Sequence, residues 1–115
     1  MSTKVSVLLV AYNEEACIER AIESILNQSY QDFELIIIDD CSNDGTYQKI
    51  IPYLKNQKVY CFRNDKNRGI AYSRNRACKE SKGDFIFFMD ADCMATRYWI
   101  QEGLEMFQKN PDLFF

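Results

Sequence analysis

The sequence contains no histidine. This absence excludes Ser-His and Cys-His nucleophile pairs, HExxH zinc sites and imidazole general bases. Any acid–base chemistry in this protein must therefore use carboxylates, tyrosine, lysine or a bound metal.

Positive charge and long apolar runs are also scarce. Lys and Arg number 14 against 17 Asp and Glu, so the net charge is -3 and no basic stripe is available to bind nucleic acid. No segment approaches the roughly 20 apolar residues that a membrane span needs. The apolar run near the start meets Glu14 and Glu15 without a small-x-small cleavage pattern. It therefore predicts a buried first strand and not a signal peptide.

The five cysteines include no CxxC pair, which argues against a zinc site. An odd number of cysteines without a secretion signal predicts reduced thiols. We therefore expect a cytoplasmic protein, and peripheral association with the inner face of the membrane stays open.

What the sequence does contain is an alternation of apolar runs and amphipathic segments. With 115 residues and 47% hydrophobic content, we expect one domain covering residues 1–115. Asn13 is predicted to cap the first helix, with Glu14 and Glu15 in its first turn. Strands are predicted at residues 5–10, 33–38, 59–62 and 85–89, with the start of a fifth at 113–115. Further helices are predicted at residues 46–54, from about 70 to 81, and at 96–108, with Pro52 shortening or kinking the first of these.

This alternation predicts a parallel sheet with helices on both faces. Clusters with polar residues follow the first, second and fourth strands: Ala11-Tyr12-Asn13, Asp39-Asp40 and Asp90-Ala91-Asp92. In such sheets, ligands bind outside the carboxyl ends of the strands where the strand order reverses. The three clusters are therefore expected to converge on one crevice.

The Asp90-Ala91-Asp92 turn suits a hard divalent cation. Magnesium and manganese take oxygen ligands and are often held by one or two carboxylates, with substrate phosphates completing the shell. An exposed acidic turn without a ligand is the alternative.

Asp39 and Asp40 have two interpretations. They are either a loop-forming pair that caps the helix after Gly45, or one of them accepts a hydrogen bond from a nucleobase or ribose. Uracil fits the second interpretation because its N3–H is a donor.

The first strand is not followed by GxGxxG, and Glu14 and Glu15 would repel a phosphate there, which argues against a nicotinamide or flavin enzyme. Arg68, Arg74 and Arg76 are the expected counter-charges for a substrate phosphate, although for Arg76 a solvated helix face is an equal alternative.

Four motifs in this order, VSVLLVAYNEE, SILNQSYQDFELIIIDDCSNDGT, NRGIAYSRNRA and GDFIFFMDADC, cover almost the whole chain. Together they resemble the family 2 glycosyltransferases. The resemblance implies a three-layer α/β/α Rossmann-like (GT-A) fold with a mostly parallel sheet, here truncated after the DxD region. It also implies inverting transfer of a sugar from a nucleoside diphosphate, most often UDP, to an acceptor hydroxyl.

The resemblance also assigns roles to residues. It implies that Asp92 is the direct ligand of Mn²⁺ or Mg²⁺ and that Asp90 lies nearer the ribose or diphosphate, where it can share the metal. The nucleotide-binding residues that it implies are Ala11, Tyr12, Glu14, Asp39, Asp40, Arg74 and Asp90, with Asp40 on the uracil and Asp39 supporting it.

Family members carry the catalytic base and most of the acceptor pocket well after the DxD. We therefore expect the base beyond Phe115 and interpret the chain as the donor-binding part of a larger transferase with a saccharide or lipid-linked acceptor. An open sheet edge at the fifth strand predicts self-association. Two alternatives stay open: a nucleotide- or sugar-binding fragment without activity, and a sugar-nucleotide nucleotidyltransferase, although AYNEEA lacks that class's glycine-rich basic loop.

Overall fold

The computed structural model describes residues 4–110 and alternates strands with helices along the chain. The strands are β1 (Val5–Ala11), β2 (Phe33–Asp39), β3 (Val59–Arg63) and β4 (Phe85–Asp90). The helices are α1 (Ile18–Leu26), α2 (Thr46–Ile50), α3 (Ile70–Glu80) and α4 (Trp99–Lys109), and a 3-10 helix, Ile51–Lys55, continues α2. Pro52 lies in that 3-10 helix, so the shortened helix expected from the proline is confirmed.

The four strands form one parallel sheet in the order β3-β2-β1-β4. Val5 at the start of β1 pairs with Phe33 of β2 on one side and with Phe85 of β4 on the other. The chain moves from β1 to β3 in one direction and then crosses back to β4, so the strand order reverses at β1. A ligand crevice is therefore expected outside the carboxyl ends of β1 and β4.

Helices cover both faces of this sheet. One face of β1 and β2 packs with α1, α2 and α4 in a cluster that includes Leu9, Ile22 and Ile100. The opposite face packs Leu8 and Ile36 against α3. Right-handed crossovers place α3 on the opposite face from α1 and α2, because the connection from β3 to β4 crosses the sheet in the opposite direction to the connections from β1 to β2 and from β2 to β3. The predicted three-layer α/β/α arrangement is confirmed.

Helix α1 begins at Ile18, so the prediction that Asn13 caps it is wrong. Asn13 adopts a left-handed backbone with φ 52°. Its N–H donates to Ser42 Oγ at 2.9 Å, and its Oδ1 accepts from the N–H of Asn43 at 2.9 Å. The N–H of Glu14 donates to Thr46 Oγ1 at 2.8 Å. This stretch is thus fixed by the loop after β2, and the helix starts only after it.

Helix α4 also begins later than the sequence predicts, at Trp99 instead of residue 96. Its preceding turn is closed by a hydrogen bond from the Trp99 N–H to the Thr96 carbonyl at 3.1 Å. The same carbonyl accepts from the side chain of Gln28. This contact with Gln28, which lies just after α1, therefore holds Thr96 in a turn before the helix.

The connection from α3 to β4 is anchored at the amino end of the sheet. The buried Glu34 accepts from Ser6 Oγ at 2.5 Å and from the Lys82 N–H at 2.6 Å. Ser6 Oγ in turn accepts from the Gly83 N–H at 2.8 Å. A Cβ on Gly83 would lie 2.6 Å from the backbone nitrogen of Ser6, so the close approach requires glycine at this position.

Strand β4 has a neighbour on one side only among residues 4–110. The predicted fifth strand at residues 113–115 lies outside the described residues, so the self-association inferred from it stays a prediction. None of the helices between Lys4 and Asn110 is long and apolar enough to cross a membrane.

Candidate functional site

A cavity of about 450 Å³ opens outside the carboxyl ends of β1, β2 and β4, where the strand order reverses. Side chains from β1 and the turn after it, from the end of β2, from the start of α3 and from the end of β4 form its wall. The residues that line it are Val10, Tyr12, Glu14, Asp40, Asn67, Gly69, Ile70, Arg74, Asp90, Ala91 and Asp92. The three polar clusters therefore meet in one place.

The acidic turn at the end of β4 has the donor set of a divalent cation site. Donor atoms of Asp90, Asp92 and Cys93 lie within 4.8 Å of one another, and all three residues are exposed. The turn is closed by a hydrogen bond from the Cys93 N–H to the Asp90 carbonyl at 3.0 Å. Two carboxylates on one short turn fit Mn²⁺ or Mg²⁺, which keep further positions for substrate oxygens. The sequence did not indicate Cys93, which directly follows the DxD.

Glu14 faces this turn across the cavity. Partial burial raises the pKa of its carboxyl group, and the negative charges of Asp92, Asp44 and Asp90 raise it further. These groups are therefore close enough to repel one another, and a cation in the cavity would relieve that repulsion.

Asp40 is the most heavily engaged carboxylate of the cavity. Its side chain is buried, and Oδ1 accepts from the Arg68 N–H at 2.7 Å and from Asn64 Nδ2 at 2.8 Å. Oδ2 accepts from the N–H of Gly69 at 2.9 Å. Gly69 has a φ of 91°, which glycine adopts readily. Asp40 thus fixes the loop that leads into α3.

Ala11 and Asp39 lie outside the residues that line the cavity, and the nucleotide-binding roles expected of them stay predictions. Both are fully buried, and they are paired in the register of β1 and β2. Asp39 Oδ1 accepts from Ser42 Oγ at 2.5 Å. Its Oδ2 lies 3.0 Å from Arg63 Nε without hydrogen-bond alignment. Because side chains alternate along a strand, the neighbouring residues Val10 and Asp40 are the ones that line the cavity.

The three arginines predicted as counter-charges have different surroundings. Arg74 lines the cavity, and its Nη2 lies 3.2 Å from Asp90 Oδ1. Arg68 pairs with Asp65 at 3.1 Å outside the lining. Arg76 donates to the Arg63 carbonyl at 3.0 Å and to the Asn64 side chain at 2.9 Å. Arg76 therefore stabilises the loop before α3, and neither it nor Arg68 lines the cavity.

Two polar residues, Ser24 of α1 and Gln28 just after it, position the segment after the acidic turn, and neither was predicted from the sequence. Ser24 Oγ accepts from the Ala95 N–H at 2.9 Å, and Gln28 Oε1 accepts from the Ile100 N–H at 3.0 Å. Gln28 is 2% exposed. A polar residue that continues the apolar stripe of α1 was the available signal, because a buried amide requires partners.

Known proteins share the sequence pattern. The profile of Glycosyl transferase family 2 matches residues 6–115. The UDP-Glc:alpha-D-GlcNAc-diphosphoundecaprenol beta-1,3-glucosyltransferase WfaP of Escherichia coli is 40% identical over 96 residues, which cover 84% of this chain and 36% of that protein. The putative teichuronic acid biosynthesis glycosyltransferase TuaG of Bacillus subtilis is 32% identical over 96% of this chain and 44% of its own length. The chain therefore spans less than half the length of these relatives.

Solved structures share the fold. Residues 1–349 of S. aureus TarS in complex with UDP-GlcNAc match 94% of this chain and 32% of that one, with a TM-score of 0.86 and 27% identity. The mannosyltransferase PcManGT from Pyrobaculum calidifontis in complex with GDP-Man and Mn²⁺ matches 82% of this chain and 29% of that one, with a TM-score of 0.76 and 25% identity. The expected GT-A fold is confirmed, and the chain belongs to glycosyl transferase family 2.

Proposed function

We propose that this protein binds the donor of a glycosyltransferase, a UDP-sugar, together with a divalent cation held by Asp92 and Asp90. The enzyme transfers the sugar to an acceptor hydroxyl with inversion at the anomeric carbon. The observation that carries the proposal is the cavity at the strand-order reversal, which presents the acidic turn on one side and a nucleotide-sized space beside it.

The charge balance of the cavity supports a role for the cation. Four carboxylates line it, from Glu14, Asp40, Asp90 and Asp92, and Arg74 is the one basic side chain in the lining that the structure describes. A nucleoside diphosphate would meet net repulsion in this cavity. When bound, the cation neutralises the charge that develops on the departing diphosphate, acting as a Lewis acid.

The opposite wall suits a nucleoside. Tyr12 is 42% exposed and Ile70 is 53% exposed at the cavity, so both offer apolar surface to a base. An ionised carboxylate offers about four lone-pair sites, and Asp40 uses three of them for the loop. In our proposal the fourth accepts the N3–H of uracil, so a single carboxylate both shapes the pocket and reads the base.

The relatives support the donor and the acceptor class. WfaP is named for UDP-Glc and a diphosphoundecaprenol-linked sugar, and TarS was solved with UDP-GlcNAc. We therefore favour a saccharide or lipid-linked acceptor in polysaccharide biosynthesis. A lipid-linked acceptor and five free thiols in the structure fit a cytoplasmic protein at the inner face of the membrane.

The catalytic base is a separate part of the proposal. The carboxylates of the cavity are assigned to the loop, the cation and the donor, and the relatives extend well beyond the matched segment. We place the base that deprotonates the acceptor beyond Phe115.

Calorimetric titration tests the donor assignment. UDP, GDP and ADP are titrated separately into the protein with Mn²⁺, and UDP is expected to bind most tightly. Tighter binding of GDP or ADP would refute the uracil assignment of Asp40. Incubation with UDP-glucose and UDP-GlcNAc then separates an enzyme from a binding fragment. Release of UDP supports transferase chemistry, and tight binding without any release supports the binding fragment.

A further inference from the structure

The ion pair between Arg74 and Asp90 ties the basic side chain of the cavity to the candidate cation site. Arg74 Nη2 lies 3.2 Å from Asp90 Oδ1, and the guanidinium carbon lies 5.6 Å from the centre of the Phe88 ring. Both side chains are about half exposed. An exposed pair of this kind is weak, so a stronger competitor for either partner separates it.

The neighbouring arginines are held elsewhere. Arg68 pairs with Asp65 and lies over the ring of Tyr72 at 5.1 Å. Arg76 is bound to the loop before α3. Of these three arginines, Arg74 is the one that lines the cavity, so it is the best placed to reach a phosphate there.

Asp90 Oδ1 cannot bind Arg74 and a cation strongly at the same time. A divalent cation at the acidic turn attracts Asp90 more strongly than the guanidinium does, and its positive charge repels Arg74. A diphosphate brought in by the cation then offers Arg74 new anionic partners, since guanidinium groups bind phosphate in a bidentate manner.

We propose that Arg74 is a positioning residue that exchanges partners, holding Asp90 while the cavity is empty and the donor's diphosphate once a divalent cation occupies the turn. This inference rests on the proposed function. Arg74 then lowers the affinity for the cation alone and raises the affinity for the cation–nucleotide pair. Cation and nucleotide therefore bind cooperatively through this side chain.

Arg74 is expected to have opposite effects on the affinity for the cation alone and on the affinity for the nucleotide, and this distinguishes its role from a purely structural one. A substitution that merely loosened α3 would weaken both binding steps. Arg74→Gln is expected to bind Mn²⁺ alone about threefold to tenfold more tightly than the wild type, because one repelling charge is removed. With Mn²⁺ saturating, the same variant is expected to bind UDP about tenfold more weakly, because a charge-assisted contact to phosphate is lost.

The experiment measures free Mn²⁺ by electron paramagnetic resonance in titrations of the wild type, Arg74→Gln and Arg74→Lys. Lys79→Gln is the matched control, because Lys79 is an exposed residue of the same helix that does not line the cavity. It removes the same charge and should leave the Mn²⁺ affinity unchanged. Arg74→Lys, which keeps the charge, should resemble the wild type for Mn²⁺ alone.

The outcomes distinguish this inference from the proposed function. Tighter Mn²⁺ binding together with weaker UDP binding in Arg74→Gln supports the exchange. If the wild type binds Mn²⁺ and UDP and Arg74→Gln binds Mn²⁺ equally or more weakly, the exchange is refuted and the donor site stands. If neither the wild type nor any variant binds Mn²⁺, both proposals are refuted.

Discussion

Replacing Asp40 with asparagine tests the claim that one carboxylate organises the nucleotide side of the cavity. Asp40 is 3% exposed and accepts three hydrogen bonds of 2.7 to 2.9 Å, from Asn64, Arg68 and Gly69. In Asp40→Asn, the amide oxygen can keep the two donors that share Oδ1, now without the charge. The amide NH₂ would then face the N–H of Gly69, leaving a buried donor without an acceptor.

The expected cost follows from these contacts. A hydrogen bond to a charged group contributes about 1.5–3 kcal/mol against roughly 1 kcal/mol for a neutral one, and an unsatisfied buried donor costs about 1–3 kcal/mol. Since part of the loop can relax, we expect the free energy of unfolding to fall by about 2–4 kcal/mol.

Urea denaturation measures this change directly. Asp65→Asn is the control, because it removes an exposed carboxylate whose pair with Arg68 is a solvent-screened surface ion pair that contributes little to stability. If the free energy of unfolding falls no more in Asp40→Asn than in Asp65→Asn, the organising role of Asp40 is refuted.

Three further predictions concern the surroundings of the site. Arg63→Ala leaves the buried Asp39 without its cation. We expect the free energy of unfolding, measured by urea denaturation, to fall by about 2 kcal/mol, a value discounted because Arg63 is partly exposed. An unchanged free energy of unfolding would contradict the pairing. Burial and, second, the nearby aspartates raise the pKa of Glu14 above its ordinary value of 4.5. The ionised carboxylate therefore destabilises the folded state above the raised pKa, and this destabilisation is absent below pH 4.5. Glu14→Gln should therefore stabilise the protein at pH 7 and lose this effect towards pH 4, whereas an equal effect at both pH values would contradict the assignment. Gly83→Ala forces a Cβ against the backbone of Ser6 and should cost about 1–3 kcal/mol, so an unchanged melting temperature would refute the close approach.

The strands could be predicted from the sequence to within one residue at either end. β1 and β2 are buried on both faces, so nearly every position is apolar and the run itself marks the strand. The starts of α1 and α4 could not be predicted in this way. Asn13 has its partners about 30 residues away in the loop after β2, and Thr96 is held by Gln28, which lies just after α1. Local capping preferences contain no information about such distant donors and acceptors.

The location of the candidate site could also be predicted, because the carboxyl ends of parallel strands lie at one edge of the sheet. Tyr12, Glu14 and Arg74 line the cavity together with the acidic turn, although their roles stay predictions. Ala11 does not line the cavity, because side chains alternate along β1 and its neighbour Val10 is the residue that lines it. The loop residue Asn67 was missed because the folding of that loop onto Asp40 depends on backbone donors, which any residue supplies.

The central claim, a cation-dependent donor site, is tested most directly by the dependence of UDP affinity on Mn²⁺. This dependence is measured by calorimetry on the wild type, Asp92→Asn and Asp84→Asn. Asp84 is an exposed aspartate directly before β4, at the opposite end of that strand, so its substitution controls for the loss of one negative charge. We expect Mn²⁺ to strengthen UDP binding in the wild type and in Asp84→Asn, and to have little effect in Asp92→Asn. Equal Mn²⁺ dependence in all three proteins, or no UDP binding by the wild type with Mn²⁺, would contradict the account of a cation-dependent donor site.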